Sequence, residues 1–305
     1  IQAKGLSSAQ ELIRNRDFNG AYGGPIKKDT LWFYSSYRVW GVDQTIPNAF
    51  YNADPTNRTY KPDLNRQVVD DNLIKSALLR LTYRKGPHKL AAYVDSIVKF
   101  RGHEGSANTL EEAYGKRLPK NYYTSSAKYT GTLTNRLLVE SGLSIEQNSY
   151  STQDPEETLI PGSIARTEIT GVAGGAPAGG IWSANATPRL LRMPNIAYSW
   201  LTSVSYVTGS HSFKTGLTYG WGRIKRQQSL VGDLVQRYSQ GKPNSVIVYN
   251  TPTISEVDNN YDIGVFAQDS WKLNRLTLNP GVRFDAFNSY YPAQTSPAGR
   301  FVPAR

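Results

Sequence analysis

Cysteine is missing from all 305 residues, which excludes a disulfide framework, a thiolate metal site and a cysteine nucleophile. That suits an oxidising compartment managed without disulfides, although the absence alone selects none. Charge is also scarce: Asp, Glu, Lys and Arg make up 19% of the chain, below the quarter usual for soluble domains. Long apolar runs are lacking, and nothing approaches the ~18 residues of a membrane helix. The opening "IQAKGLSSAQELIRNRDFNG" has none of the zones of a signal peptide. The chain is therefore expected to be either cytosolic or a piece of something longer. The closing "SPAGRFVPAR", loop-like to its end, favours a piece.

Chemistry-bearing motifs are equally sparse. The three histidines, His88, His103 and His211, never take the spacing of H-E-x-x-H. No G-x-S-x-G elbow occurs, so an enzyme is not expected, and neither is a cofactor. Acidic groupings at Asp70 and Asp71, Glu111 and Glu112, Asp154, Glu156 and Glu157, and 257–262 read as solvated loop charge. The alternative for them is a loop Ca²⁺ site. The stretch "GGPIKKDT" invites comparison with a phosphate loop, but it opens a strand instead of a helix, so no helix N-terminus points at an anion. Gly23 and Gly24 read as supplying positive φ, and Pro25 a fixed φ, for a tight turn.

The net charge of +11 would fit nucleic acid only if it were concentrated. It is scattered instead, the densest cluster being Arg223, Lys225 and Arg226. A nucleic-acid partner is not expected; an anionic glycolipid or an anionic solute fits the excess as well.

Aromatic residues are abundant, with 20 Tyr and 6 Trp, and so is strict alternation. Leu276, Leu278, Val282, Phe284 and Ala286 alternate with Arg275, Thr277, Asn279, Gly281, Arg283 and Asp285. Phe213, Leu217, Tyr219 and Trp221 alternate with Lys214, Gly216, Thr218 and Gly220, and Leu137 to Gln147 and Tyr261 to Gln268 behave alike. Period 2 means strands with one apolar and one polar face. About ten are predicted: 15–22, 31–40, 75–85, 88–101, 125–133, 136–150, 195–208, 211–227, 259–272 and 275–290, with a further short strand at 245–250.

Connections alternate too. Short breaks at 85–88, 134–136, 209–211 and 273–275 read as hairpin turns, and long ones fall at 41–74, 102–124, 151–194 and 228–258. All short turns should therefore lie at one end and all long loops at the other. Soluble sandwich strands run about 5–6 residues. A run of ~15 reaches about 50 Å, enough to cross a ~25 Å apolar band at ~45° tilt. The pattern describes an all-β, antiparallel transmembrane β-barrel portion in a bacterial outer membrane. Its apolar face would meet lipid and lipopolysaccharide, and its polar face would line the lumen. The alternatives are a non-energised porin or adhesin, and a secreted soluble β protein binding polysaccharide.

On this reading Arg80, Arg84, Arg101, Lys214, Arg283 and Asp285 should face the lumen, because charge on the lipid face costs ~2–4 kcal/mol at midplane. There they would contact an unknown solute or a plug. Trp32, Tyr34, Trp40, Tyr219, Trp221 and Trp271 should form membrane-interface girdles. The metal expectation is none.

Two stretches carry a family likeness. "DFNGAYGGPIKKDTLWFYSSYR" and "YDIGVFAQDSWKLNRLTLNPGVRFD" resemble barrel segments of TonB-dependent outer-membrane receptors of the Oar-like kind. The second places Tyr261, Phe266, Gln268, Asp269, Trp271, Leu276, Thr277, Leu278, Asn279, Gly281, Arg283, Phe284 and Asp285 in the family's pattern. The resemblance implies a barrel of about 22 strands, closed by a plug and energised for uptake of a scarce solute through the TonB complex. Residues 1–305 would then be a partial barrel domain, with plug, TonB box and closing strands outside them.

One consequence is open to measurement. Residues 1–305 expressed alone would expose a lipid-facing surface and open sheet edges, so the segment should aggregate without detergent. A concentration-independent monomer in plain buffer, by sedimentation velocity, would contradict the membrane reading.

Overall fold

The structure is a computed structural model and describes residues 9–53, 61–104, 115–154, 164–170 and 188–305. Long, alternating sequence becomes long strand. The described elements are β1 (Leu12–Lys27), β2 (Leu31–Asn52), β3 (Pro62–Lys85), β4 (His88–Glu104), β5 (Gly115–Thr132) and β6 (Leu137–Gln153). They continue through β7 (Ala165–Glu168), β8 (Arg189–Thr208), β9 (His211–Ser229), β10 (Leu234–Ser239), β11 (Lys242–Val248), β12 (Thr253–Leu273), β13 (Leu276–Leu278) and β14 (Gly281–Tyr290). Eleven of them form one sheet in the order β1-β2-β3-β4-β5-β6-β8-β9-β12-β13, with β14 also on β12. Each pair in it is antiparallel. The sheet is open, since β1 and β14 do not pair with each other among the described residues.

All ten expected strands are present. The run 275–290 is split into β13 and β14 at Asn279–Pro280, where proline has no N–H to give the ladder. The expected strand at 245–250 overlaps β11 over 245–248, and 249–250 lie beyond its end. The strands are longer than expected, up to 24 residues in β3. They consume much of what alternation alone assigns to long loops.

Short turns do fall at one end, and their chemistry is local. Asp29, Gly86, Gly209 and Asn274 take φ of 60, 55, 54 and 52°, the left-handed region that Gly, Asn and Asp enter most cheaply. In the β5–β6 turn the Thr134 hydroxyl oxygen accepts from the N–H groups of Arg136 at 3.2 Å and Leu137 at 3.0 Å. The role expected for Gly23, Gly24 and Pro25 is corrected. They lie inside β1 opposite Tyr34, Phe33 and Trp32, and the turn is made by residues 28–30. Gly23 is needed for close approach: a Cβ there would stand 2.9 Å from the Phe33 carbonyl oxygen.

Register sorts the side chains into two faces. On one, Phe18, Tyr37, Leu79, Leu81, Leu90, Val94, Leu143, Val204, Phe213, Val265, Val282 and Phe284 follow one another across the strands, and all are exposed. The other face carries Asp17, Arg38, Ser76, Arg80, Lys128, Glu140, Ser203, Lys214, Arg283 and Asp285. The buried hydrophobics, among them Ala49, Phe50, Val68, Met193, Leu230 and Val235, cluster at the long-loop end. The rest of the sheet has no interior of its own, so its apolar face requires an apolar solvent. At the long-loop end, β10 pairs antiparallel with β11 and parallel with β7, around Ala165, Leu230 and Val235.

A face test follows from adjacent residues. Leu79→Arg, on the apolar face, should cost ~2–4 kcal/mol of stability for the full-length protein folded in lipid vesicles. Leu78→Arg, on the polar face between Ser36 and Asp95, should cost under about 1 kcal/mol. Urea titration of both variants reads the difference; equal costs would refute the face assignment.

Candidate functional site on the polar face

Each of the six charged residues expected in the lumen lies on the polar face by register. Arg84 is opposite Lys89, Arg80 opposite Tyr34 and Tyr93, and Arg101 opposite Asn72. Lys214 lies opposite Ser205 and Gln268, Arg283 opposite Phe266, and Asp285 opposite Gly264. The structure brings Arg283 and Asp285 together at 2.7 Å, and Arg283 Nη2 also donates to Thr218 Oγ1 at 3.3 Å. Arg101 is taken by Asp70, with its Nε donating at 2.7 Å. No ion pair is found for Arg80, Arg84 or Lys214 among the described residues.

The aromatic expectation divides. Tyr219, Trp221 and Trp271 lie on the apolar face, where Tyr219 is opposite Trp200, Trp221 opposite Tyr198, and Trp271 opposite His211. Trp32, Tyr34 and Trp40 lie on the other face, opposite Pro25, Gly23 and Asp17 on β1 and Thr82, Arg80 and Ile74 on β3. That is the reverse of the girdle placement expected for these three. Residues 31–40 carry large rings in both alternating sets, so the rings alone do not choose a face; Ser36 and Arg38, in the same set as these three, and the cross-strand partners do. Trp40 instead receives the Arg38 guanidinium 4.7 Å from its ring centre, while Arg38 pairs with Asp17 at 2.6 Å.

Near the short-turn end, Trp32, Phe33, Tyr34, Arg80 and Thr82 line a concavity of 380 Å³. An uncommitted guanidinium beside two rings can hold a carboxylate, a phosphate or an aromatic edge.

The long-loop end carries a rim of cross-strand ion pairs. Arg14 meets Asp43 at 2.6 Å, Arg101 meets Asp70 at 2.5 Å, Arg189 meets Asp154 at 2.5 Å, and Arg117 meets Glu104. Arg223 pairs with Asp258 at 2.7 Å, and His103 Nδ1 lies 2.9 Å from Asp71. The acidic groupings expected to be solvated loop charge thus have partners on neighbouring strands, arginine for Asp70, Asp154 and Asp258 and histidine for Asp71. Glu111, Glu112, Glu156 and Glu157 lie outside the described residues. Among the described residues no group of three or more His, Asp or Glu side chains could hold a metal ion. His211 is braced between Phe213 and Trp271, at 5.3 and 5.2 Å, and its Nδ1 lies 2.6 Å from Asp269.

Sequence reasoning passed over Glu168, which is 1% exposed. It accepts from the backbone N–H of Gln240 at 2.9 Å, Gly241 at 3.1 Å and Thr170 at 3.1 Å. Gln240 and Gly241, at φ 52 and 74°, are the two-residue turn between β10 and β11, so Glu168 ties one long loop to another. Burial pushes its carboxyl up, but these N–H groups and the Thr170 hydroxyl outweigh that and hold it below the usual carboxylate range. A depressed pKa means the tie is fully present above the ordinary value and lost as pH falls through the folded one.

A search among known proteins gives three findings. A family model described as an outer membrane beta barrel domain matches residues 75–305. The TonB-dependent transporter Oar of Myxococcus xanthus is 26% identical over 372 residues, covering 92% of this chain and 34% of that protein. The outer membrane transporter YddB from Escherichia coli superposes with a TM-score of 0.60 at 14% identity, over 91% of this chain and 35% of that one. This last likeness concerns the fold alone. The chain spans about a third of the length of either protein.

The Glu168 tie is testable in the full-length protein. Glu168→Gln should raise hydrogen exchange at Gln240 and Gly241 by roughly 10-fold at neutral pH, the loss expected for charge-assisted bonds. The parent should approach that behaviour only as pH falls below the ordinary glutamate range, after correction for intrinsic exchange rates. Unchanged protection in the variant would remove the role.

Proposed function

The chain belongs to the family of outer membrane beta barrel domains, and from that premise we propose that it forms part of the wall of an outer-membrane receptor that takes up a scarce solute. Its place is the bacterial outer membrane. Residues 1–305 supply a partial barrel; a plug and the remaining strands come from elsewhere in the protein. Energy arrives through the TonB complex acting on that plug. The observation that carries this reading is a polar face holding, at Arg80 and Arg84, arginines without an ion pair among the described residues, in a chain similar over 92% of its length to a TonB-dependent transporter.

In this reading the Trp32–Tyr34–Arg80 concavity seats plug or solute at the short-turn end, which in such barrels is periplasmic. The long-loop end meets the solute first. Cross-strand pairs such as Lys128 with Glu140 at 2.8 Å neutralise part of the lumen charge and leave Arg80 and Arg84 to interact with what passes or plugs. The relatives named are transporters, and the proposal involves no catalysis.

Two measurements test it. The full-length protein in a planar bilayer should show no steady conductance, since a plug closes the barrel; stable open-channel steps would instead make it a porin. Arg80→Glu combined with Arg84→Glu should loosen the plug and sensitise cells to a large antibiotic otherwise excluded. Unaltered sensitivity in a correctly inserted double variant would separate these arginines from the plug.

A further inference from the structure

A second concavity lies on the opposite, apolar face. It has a volume of 380 Å³ and is lined chiefly by Tyr198, Trp221, Arg223, Asp258, Asn260 and Tyr290, a size within the range of small-molecule sites. We propose that it binds a neutral sugar ring of a glycolipid headgroup in the outer leaflet of the membrane. The proposal rests on the apolar face meeting lipid and is independent of any transported solute.

Three observations carry it. The first is an aromatic platform. Tyr198 and Trp221 stack at 5.0 Å with planes 9° apart, and Tyr219 joins Trp221 at 5.1 Å. Such rings offer a flat apolar face to the C–H side of a pyranose. The second is the polar wall beside them. Asp258 is held by Arg223, whose Nε donates at 2.7 Å and Nη2 at 3.2 Å, and by the Tyr290 hydroxyl at 3.4 Å. Asn260 Nδ2 donates to Asn288 Oδ1 at 3.0 Å, which orients its amide. This wall exists because register breaks between Asn259 and Asp262, where Asn260 and Tyr261 together oppose Trp221. A bulge of this kind re-aims side chains and is a frequent companion of sites.

The third observation is height. Arg223 stands about 12 residues along β9 from the short turn, ~40 Å of strand. At ~45° tilt that is roughly 28 Å, just past a ~25 Å apolar band, so the concavity opens at headgroup level.

Charge decides between sugar and phosphate. Arg223 and Lys225 are matched by Asp258 and Glu256, with Lys225 Nζ 2.8 Å and Arg223 Nε 3.1 Å from Glu256. Two cations against two carboxylates leave no net charge to attract a bare phosphate. Fixed carboxylate and amide oxygens next to flat rings suit hydroxyl groups instead.

The test uses the full-length protein, extracted in detergent and shown to be folded by heat-modifiable gel mobility. The probes are purified rough-type lipopolysaccharide, its delipidated core oligosaccharide, and phosphatidylglycerol, followed by native mass spectrometry and tryptophan fluorescence. Lipopolysaccharide should bind, and Trp221→Leu and Asp258→Asn should each weaken it roughly fivefold, the scale of one aromatic or hydrogen-bonding contact. Asn260→Ala, which leaves platform and ion pairs in place, should weaken it too and stands in if either variant fails to fold. Binding unaffected by the folded variants would overturn the site. So would phosphatidylglycerol competing equally, which would reassign it to phosphate. Free oligosaccharide binding as tightly as the lipid would overturn the membrane source.

Discussion

Hydrocarbon offers no partner to a backbone N–H or C=O, and everything else in this structure depends on that constraint. It is met by one ladder running from β1 to β14, in which every interior strand is satisfied by its neighbours and only the outer edges of the first and last strands are left open. Long strands, short turns on one side and a steady antiparallel register are what such a ladder requires. The same constraint explains why the membrane-level sheet lacks buried hydrophobic residues. Phe18, Tyr22, Val282 and Phe284 are 66, 76, 76 and 67% exposed, which only lipid on one face and neighbouring strands at both edges make tolerable.

Once the ladder is set, charge is arranged across it. Several polar-face charges meet an opposite charge on an adjacent strand or two residues along, as in Asp17 with Arg38 and Arg283 with Asp285. Ion pairs of this exposure contribute little stability. Their larger effect is to cancel charge locally across the polar face. At the long-loop end the pairs crowd into a rim, and above it β7, β10 and β11 form a small sheet fastened by Glu168. The described part of the long-loop end is therefore built from ordered strands.

Much of this was legible beforehand. Alternation at Phe213–Trp221 and Val282–Ala286 assigned the correct face to every residue in those runs, and Gly, Asn and Asp marked the turns. Legibility failed where alternation did. In β2 large rings occur in both sets, so Trp32, Tyr34 and Trp40 were not sorted from Phe33 and Tyr37, although Ser36 and Arg38 share the set of the first three. Gly23 and Gly24 looked like a turn because small residues serve both turns and close strand approach. The ends of β2 and β3 were hidden by Asn, Asp and Pro, which are poor strand formers, yet there the ladder simply continues.

Composition and period 2 by themselves determined that the chain is a two-faced antiparallel sheet long enough to cross a membrane, with its short and long connections at opposite ends. Parity within a strand is a local property, and sequence carries it. Which strand's arginine meets which strand's aspartate, which face takes the rings of β2, and where a bulge turns Asn260 toward Trp221 are relations between strands. Only the hydrogen-bond register decides those, because a slip of one residue moves every side chain of a strand to the other face.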